Sequence, residues 1–159
     1  MNTLNVIAEF RNDHRKVRDS LLAITEAIGK KDVKKAREIL GELNNLVGPH
    51  FRYEEEYLYP ALRKFLGDYV GQLLSEHDGV IETAKTCASL LQKESLTEEE
   101  AENAQKAAMA LLIHVSNCDG LAILSERFTS EELEELGQKF EESRKVGIPL
   151  FEWADTIRK

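Results

Sequence analysis

The sequence predicts an all-α protein, an up-down-up-down antiparallel four-helix bundle with a short extra C-terminal helix. Three observations carry this. Apolar residues recur at steps of three, four or seven along four long segments. No segment alternates with the period of two that a half-buried strand needs. The composition is 42% apolar and 31% charged, with 9 Gly and 3 Pro, which suits a folded, helix-rich chain. At 159 residues one domain is expected over 1–159, with the bundle over about 3–126 and the last helix and tail over about 130–159.

The first helix is predicted over about 3–28, from the stripe Leu4, Ile7, His14, Val17, Leu21, Ile24 and Ile28. Gly29 and Lys30-Lys31-Asp32 break it, and Asp32 is placed to cap a second helix through Val33, Ala36, Ile39, Leu40, Leu43 and Val47. The stripe resumes beyond Gly48-Pro49 with His50, Glu54, Leu58, Ala61 and Phe65, so Pro49 reads as a kink rather than a loop. After Gly67-Asp68 a third helix carries Val70, Leu74, His77, Ile81, Ala84, Ala88 and Leu91 and ends near Lys93. Leu96-Thr97 before Glu98-Glu99-Glu100 has the form of a capping box, opening a fourth helix with Ala104, Ala107, Leu111, His114, Cys118 and Leu121. Thr129 or Ser130 before Glu131-Glu132 opens a shorter acidic helix presenting Leu133, Leu136 and Phe140. The tail after Gly147 is less regular, with Phe151 and Trp153 expected to pack back on the bundle.

The net charge is -8, with no Lys/Arg block of the kind a phosphate backbone or an anionic bilayer requires, so neither nucleic acid nor membrane is an expected partner. No stretch reads as the ~20 apolar residues of a spanning helix, and the start NTLNVIAEFRNDH has no basic-then-apolar signal region, so a cytoplasmic location is expected. Cys87 and Cys118 lie within apolar patterns, as reduced buried thiols do. No nucleophile elbow, glycine-rich phosphate loop or paired-cysteine zinc motif is present.

The chemistry lies in four histidines, His14, His50, His77 and His114, one on the inward stripe of each main helix. A single histidine on an apolar face is most often a satisfied core residue. Four are different, because each buried imidazole needs a polar partner and one metal centre satisfies them all. A weak repeat supports the pattern: Asp13-His14 precedes His50 by 36 residues, and Glu76-His77 precedes His114 by 37. Glu54 lies one turn after His50, while Cys118 and Asp119 follow His114 at four and five residues. Four imidazoles and two carboxylates able to bridge suit a pair of Fe or Mn ions better than a structural zinc, and a di-iron centre is the stronger expectation.

In their order and helix positions, Asp13-His14, the run HFRYEEEYLYPAL from His50, Glu76-His77, and His114 with Asp119 resemble the hemerythrin and hemerythrin-like HHE cation-binding domains over roughly residues 5–142. The resemblance implies a four-helix bundle around a non-haem di-iron centre, its two iron ions joined by an oxo or hydroxo bridge. It also implies that His14 and His50 belong to one iron and His77 and His114 to the other, with Glu54 and Asp119 bridging.

Two departures stand out. Oxygen-carrying members have two histidines one turn apart on the third helix, whereas the positions either side of His77 are Leu73 and Ile81. Four nitrogens and four bridging oxygens give about eight donors, against roughly ten to twelve for two five- or six-coordinate irons. Water, hydroxide or oxo, an exogenous ligand, Glu55, Tyr53, Tyr57 or Cys118 could make up the difference, and of the side chains Tyr57 has the best spacing. Second, Cys118 stands where many such sequences carry glutamate. Asp119 is rotated about 140° from His114 on an ideal helix, so it must reach round or the helix must be irregular near Gly120.

Three functions fit: a binder or sensor of oxygen or a related small ligand (nitric oxide or peroxide), a redox enzyme acting on peroxide or nitric oxide, or an iron-responsive or iron-storage module read by a partner protein. The first is the leading expectation.

Overall fold

The computed structural model describes residues 5–158, all helix or short connection. Helix α1 spans Val6–Gly29 and α2 Val33–Tyr53; a π-helical turn, Glu54–Leu58, leads into α3, Tyr59–Leu66. Then follow α4 (Tyr69–Leu90), α5 (Glu98–Asp119), α6 (Ala122–Ser125), α7 (Ser130–Val146) and α8 (Leu150–Ile157). The start of the first predicted helix near residue 3, with Leu4, lies outside the described residues.

Local signals set most boundaries. The Asp32 side chain accepts from the Lys35 backbone N–H at 3.1 Å and starts α2. Thr97 with Glu100, and Thr129 with Glu132, each form both hydrogen bonds of a capping box at the heads of α5 and α7. Gly147, at φ 62°, ends α7 in the left-handed conformation that a residue with a side chain rarely adopts.

The tail departs from its predicted irregularity. It forms α8, whose Leu150, Trp153 and Ala154 pack with Phe51 and Ile81. Burying Trp153 and Leu150 contributes about 2–3 kcal/mol each. Gly48 makes this docking possible, because a Cβ there would stand 2.0 Å from the Ile148 carbonyl oxygen. Pro49 sits inside α2 without ending it. The larger irregularity comes six residues after Gly48. In a regular α-helix the Pro60 ring would press on the carbonyl of Glu56; the wider π turn ahead of it, closed by Tyr59 N–H to Glu54 C=O, gives that room.

One expectation is corrected. The segment Glu98–Ser125 is long and apolar enough to cross a bilayer by length and composition alone. One face of it serves the interior here: Ala104, Ala108 and Leu111 join the core cluster that includes Leu21, Ile24, Leu40 and Leu91. Its outward side keeps Met109 and Ile113 exposed.

That cluster is one of two large apolar layers. The other gathers Phe10, Tyr53, Leu58, Tyr59, Leu73, Cys118 and Phe140. On each of α1, α2, α4 and α5 the histidine falls between a residue of one layer and a residue of the other: Phe10, His14, Val17; Leu43, His50, Tyr53; Leu73, His77, Ala84; Leu111, His114, Cys118. The polar residues thus form a seam between two dry layers.

Candidate metal centre

Asp13, His14, His50, Glu54 and His77 are buried at this seam, and Glu54 and His77 are fully so. Such groups are costly to bury unless something compensates them. Three of the histidines share one arrangement on their outer side. His14 Nδ1 donates to Asp119 Oδ1 at 3.0 Å, while Arg11 holds Asp119 Oδ2 at 3.0 Å. His50 Nδ1 donates to Asp13 Oδ2 at 2.9 Å, and Arg144 of α7 holds Asp13 Oδ1 at 3.0 Å. His77 Nδ1 donates to Glu55 Oε2 at 2.8 Å, and the same oxygen accepts from Arg158 at 2.6 Å.

A carboxylate that can only accept fixes the proton on Nδ1 of a neutral imidazole and leaves the Nε2 lone pair facing inward. His14 Nε2 and His50 Nε2 then face each other at 3.1 Å. Two lone pairs repel at that distance, so a proton or a metal cation belongs between them. The Glu54 carboxylate lies beside them, with Oε1 3.4 Å from both His50 Nε2 and His77 Nε2. Glu54 Oε1 and His114 Nε2 are buried without a hydrogen-bond partner among the described residues. Donor atoms of His14, Glu54 and Cys118 lie within 4.8 Å of one another.

Electrostatics follow from this crowding. Burial would raise the Glu54 pKa, but His50, His77 and His14 hold its carboxyl far below the usual range. Burial would lower His77, but the carboxylates of Glu54 and Glu55 beside it raise it to about 9. His114, with no carboxylate on it, is lowered to about 4 by burial and by the charge of His77.

Of the residues expected from sequence, His14, His50, Glu54 and His77 meet at the seam. His114 lines the same cavity as His14, His50 and Glu54 but is only half-buried. Asp119 sits differently from the bridge that the resemblance implied. It is 30% exposed and spends its two oxygens on His14 Nδ1 and Arg11. The residue turned inward is Cys118, whose Sγ donates to Glu54 Oε2 at 2.8 Å.

Tyr57, given the best spacing of the tyrosines, is corrected: its ring lies beneath Lys139, 5.4 Å from the ammonium. The π turn shifts the inward face, and Tyr59 takes the position, its hydroxyl 2.9 Å from His77 Nε2 and 3.4 Å from Glu54 Oε2. Tyr53 packs edge-on against Phe140. The same turn lets adjacent residues serve one site, Glu54 from inside and Glu55 from behind His77.

Sequence reading missed Tyr59 and the roles of Asp13, Arg11, Arg144 and Arg158. The Pro60 ring was the available signal for Tyr59. For Asp13 it was adjacency to His14, since neighbours on a helix point about 100° apart and Asp13 therefore serves a different helix. The arginines gave none: Arg11, Arg144 and Arg158 lie 108, 131 and 103 residues from Asp119, Asp13 and Glu55.

The residues present fit a bound cation: inward lone pairs, a buried carboxylate between them, and unpartnered buried acceptors. A comparison with known families agrees, since residues 5–123 match the family model described as the hemerythrin HHE cation binding domain. Neither the curated proteins nor the solved structures gave a match. The family match spans most of the chain and includes all four histidines, Glu54 and Asp119; the chain belongs to the hemerythrin HHE cation-binding domain family.

Proposed function

We propose that this metal-binding domain holds two iron ions, one at His14 and His50 and one at His77 and His114 with Glu54 between them, and serves as a binder or sensor of oxygen or nitric oxide. The 3.1 Å approach of His14 Nε2 to His50 Nε2 carries the reading, because both outer nitrogens are already committed to carboxylates. When bound, the iron pair supplies open coordination positions for a small electron-accepting molecule. The protein supplies the rest. Asp119, Asp13 and Glu55 hold three imidazoles in one tautomer and orientation, and Glu54 supplies a charge between the pairs. Beside these residues lies a cavity of about 60 Å³ walled mainly by apolar side chains such as Leu21, Leu43, Val47 and Leu111. It has room for more than one water-sized molecule and suits an uncharged diatomic.

The order in which α1, α2, α4 and α5 cross the two apolar layers alternates, which supports an up-down-up-down four-helix arrangement. A second reading, redox chemistry on peroxide, is favoured by one observation: the Tyr59 hydroxyl places a hydrogen-bond donor inside the site, 2.9 Å from His77 Nε2 and 3.4 Å from Glu54 Oε2.

Elemental analysis after iron-replete expression, with an aerobic absorption spectrum, tests the proposal. About two irons per chain are expected, with near-ultraviolet bands that change on adding oxygen or nitric oxide. One zinc per chain would overturn it.

A further inference from the structure

We infer that Cys118 is itself a metal ligand, a thiolate in the place opposite Glu54 where the resemblance puts a carboxylate bridge. This rests on the di-metal reading above and identifies a donor that the reading leaves open.

Two independent features lead to it. The first is the commitment of Asp119: one oxygen accepts from His14 Nδ1 and the other from Arg11, each at 3.0 Å. Were an Asp119 oxygen to turn toward a metal between the histidine pairs, His14 would lose the partner that fixes its tautomer, or Arg11 its ion pair. The second is the set of donors already gathered inside. Cys118 Sγ stands 2.8 Å from Glu54 Oε2, and His14, Glu54 and Cys118 form a buried trio of potential ligand atoms. Glu54, fully buried, keeps its other oxygen unpartnered in that space, and the unpartnered Nε2 of His114 is also buried.

Spacing explains how one helix serves both purposes. His114 and Cys118 are one turn apart on α5, on the same face. Asp119, a further 100° round, reaches the outer side of His14 on α1 instead of the interior. The helix ends there, with Gly120 as its C-cap, so Asp119 is at the rim. The swap of roles is therefore complete within two residues.

On metal binding the Cys118 S–H proton leaves to solvent and the sulfur lone pair forms the bond to the ion; no oxidant or reductant takes part. Metal preference follows. A thiolate beside imidazoles favours iron, cobalt or zinc over manganese, whereas a second carboxylate would favour manganese more. Cys87 is the internal control, being buried in the apolar layer with Ile28 and Leu91, away from the histidines.

The test uses the full chain loaded with Co(II), whose bonds to thiolate give near-ultraviolet charge-transfer absorption. X-ray absorption of the zinc-loaded protein gives an independent readout, a metal–sulfur shell at about 2.3 Å. Two cobalt ions per chain with the charge-transfer band are expected in the wild type and in Cys87→Ala. Cys118→Ser should lose the band and bind cobalt at least tenfold more weakly. Cys118→Asp should keep two ions without the band and gain in Mn(II) affinity relative to Co(II), showing that the fold survives. Two ions per chain with neither band nor sulfur shell in the wild type would overturn the Cys118 assignment and leave the di-metal reading standing. A wild type that binds fewer than two ions would remove both.

Discussion

Arg158 reaches back from the end of α8 to Glu55, its Nη2 2.6 Å from the oxygen that also accepts from His77 Nδ1, and its Nε pairs with Asp78. The residue that steadies His77 thus lies 35 positions beyond the last residue matched to the family, at 123. Arg144 does the same for Asp13 and His50 from α7. The C-terminal helices are part of the wall of the proposed metal centre.

Arg158→Ala is accordingly expected to weaken metal binding, by less than the roughly tenfold or more expected from removing Glu55, the partner directly behind His77. Arg158→Lys should restore part of it, since one ion pair can re-form without the fork. Competition titrations with a chromophoric chelator measure both.

Glu54→Gln keeps the volume of the side chain but removes its charge from between His50 and His77. The variant should remain helical by circular dichroism and hold fewer than two metal ions per chain. An unchanged metal count would show that Glu54 is not needed as a ligand.

Gly48→Ala places a methyl group 2.0 Å from the Ile148 carbonyl oxygen, with the Leu150 N and Pro149 C at 2.6 Å. All three are backbone atoms, so α8 must move. A loss of about 2 kcal/mol is expected, lowering Tm by roughly 4–8 °C. Differential scanning calorimetry tests this, and a fall in metal affinity should accompany it because Arg158 moves with α8.

The metal-free chain should be most stable near pH 6.5. His77 has its pKa raised to about 9, so the stability it contributes is complete below its unfolded value near 6.5 and is lost as pH rises toward 9. His114 has its pKa lowered to about 4, so the folded state resists protonation and loses stability as pH falls from about 6.5 toward 4. Glu54, held low, adds to the acid-side loss. Thermal melts across this range should show both flanks, with the alkaline flank reduced in His77→Gln and the acid flank reduced in His114→Gln.

Much of this protein was legible in the sequence because it depends on local chemistry. Asp32, Thr97 with Glu100, and Thr129 with Glu132 cap their helices through bonds three residues long, and the step of three or four that brings Ile24, Leu43, Ile81 and Leu111 inward also brings in the four histidines. Periodicity failed where the period itself changed. The π turn at Glu54–Leu58 moved the inward tyrosine from Tyr57 to Tyr59 and allowed Glu54 and Glu55 to flank one imidazole. What stands behind each imidazole was decided by tertiary structure alone. Asp119, Asp13 and Glu55 meet His14, His50 and His77 across helix interfaces, and Arg144 and Arg158 arrive from helices more than 100 residues away in sequence. Repeats of 3.6 residues set which face a side chain is on, but only packing sets which helix that face meets.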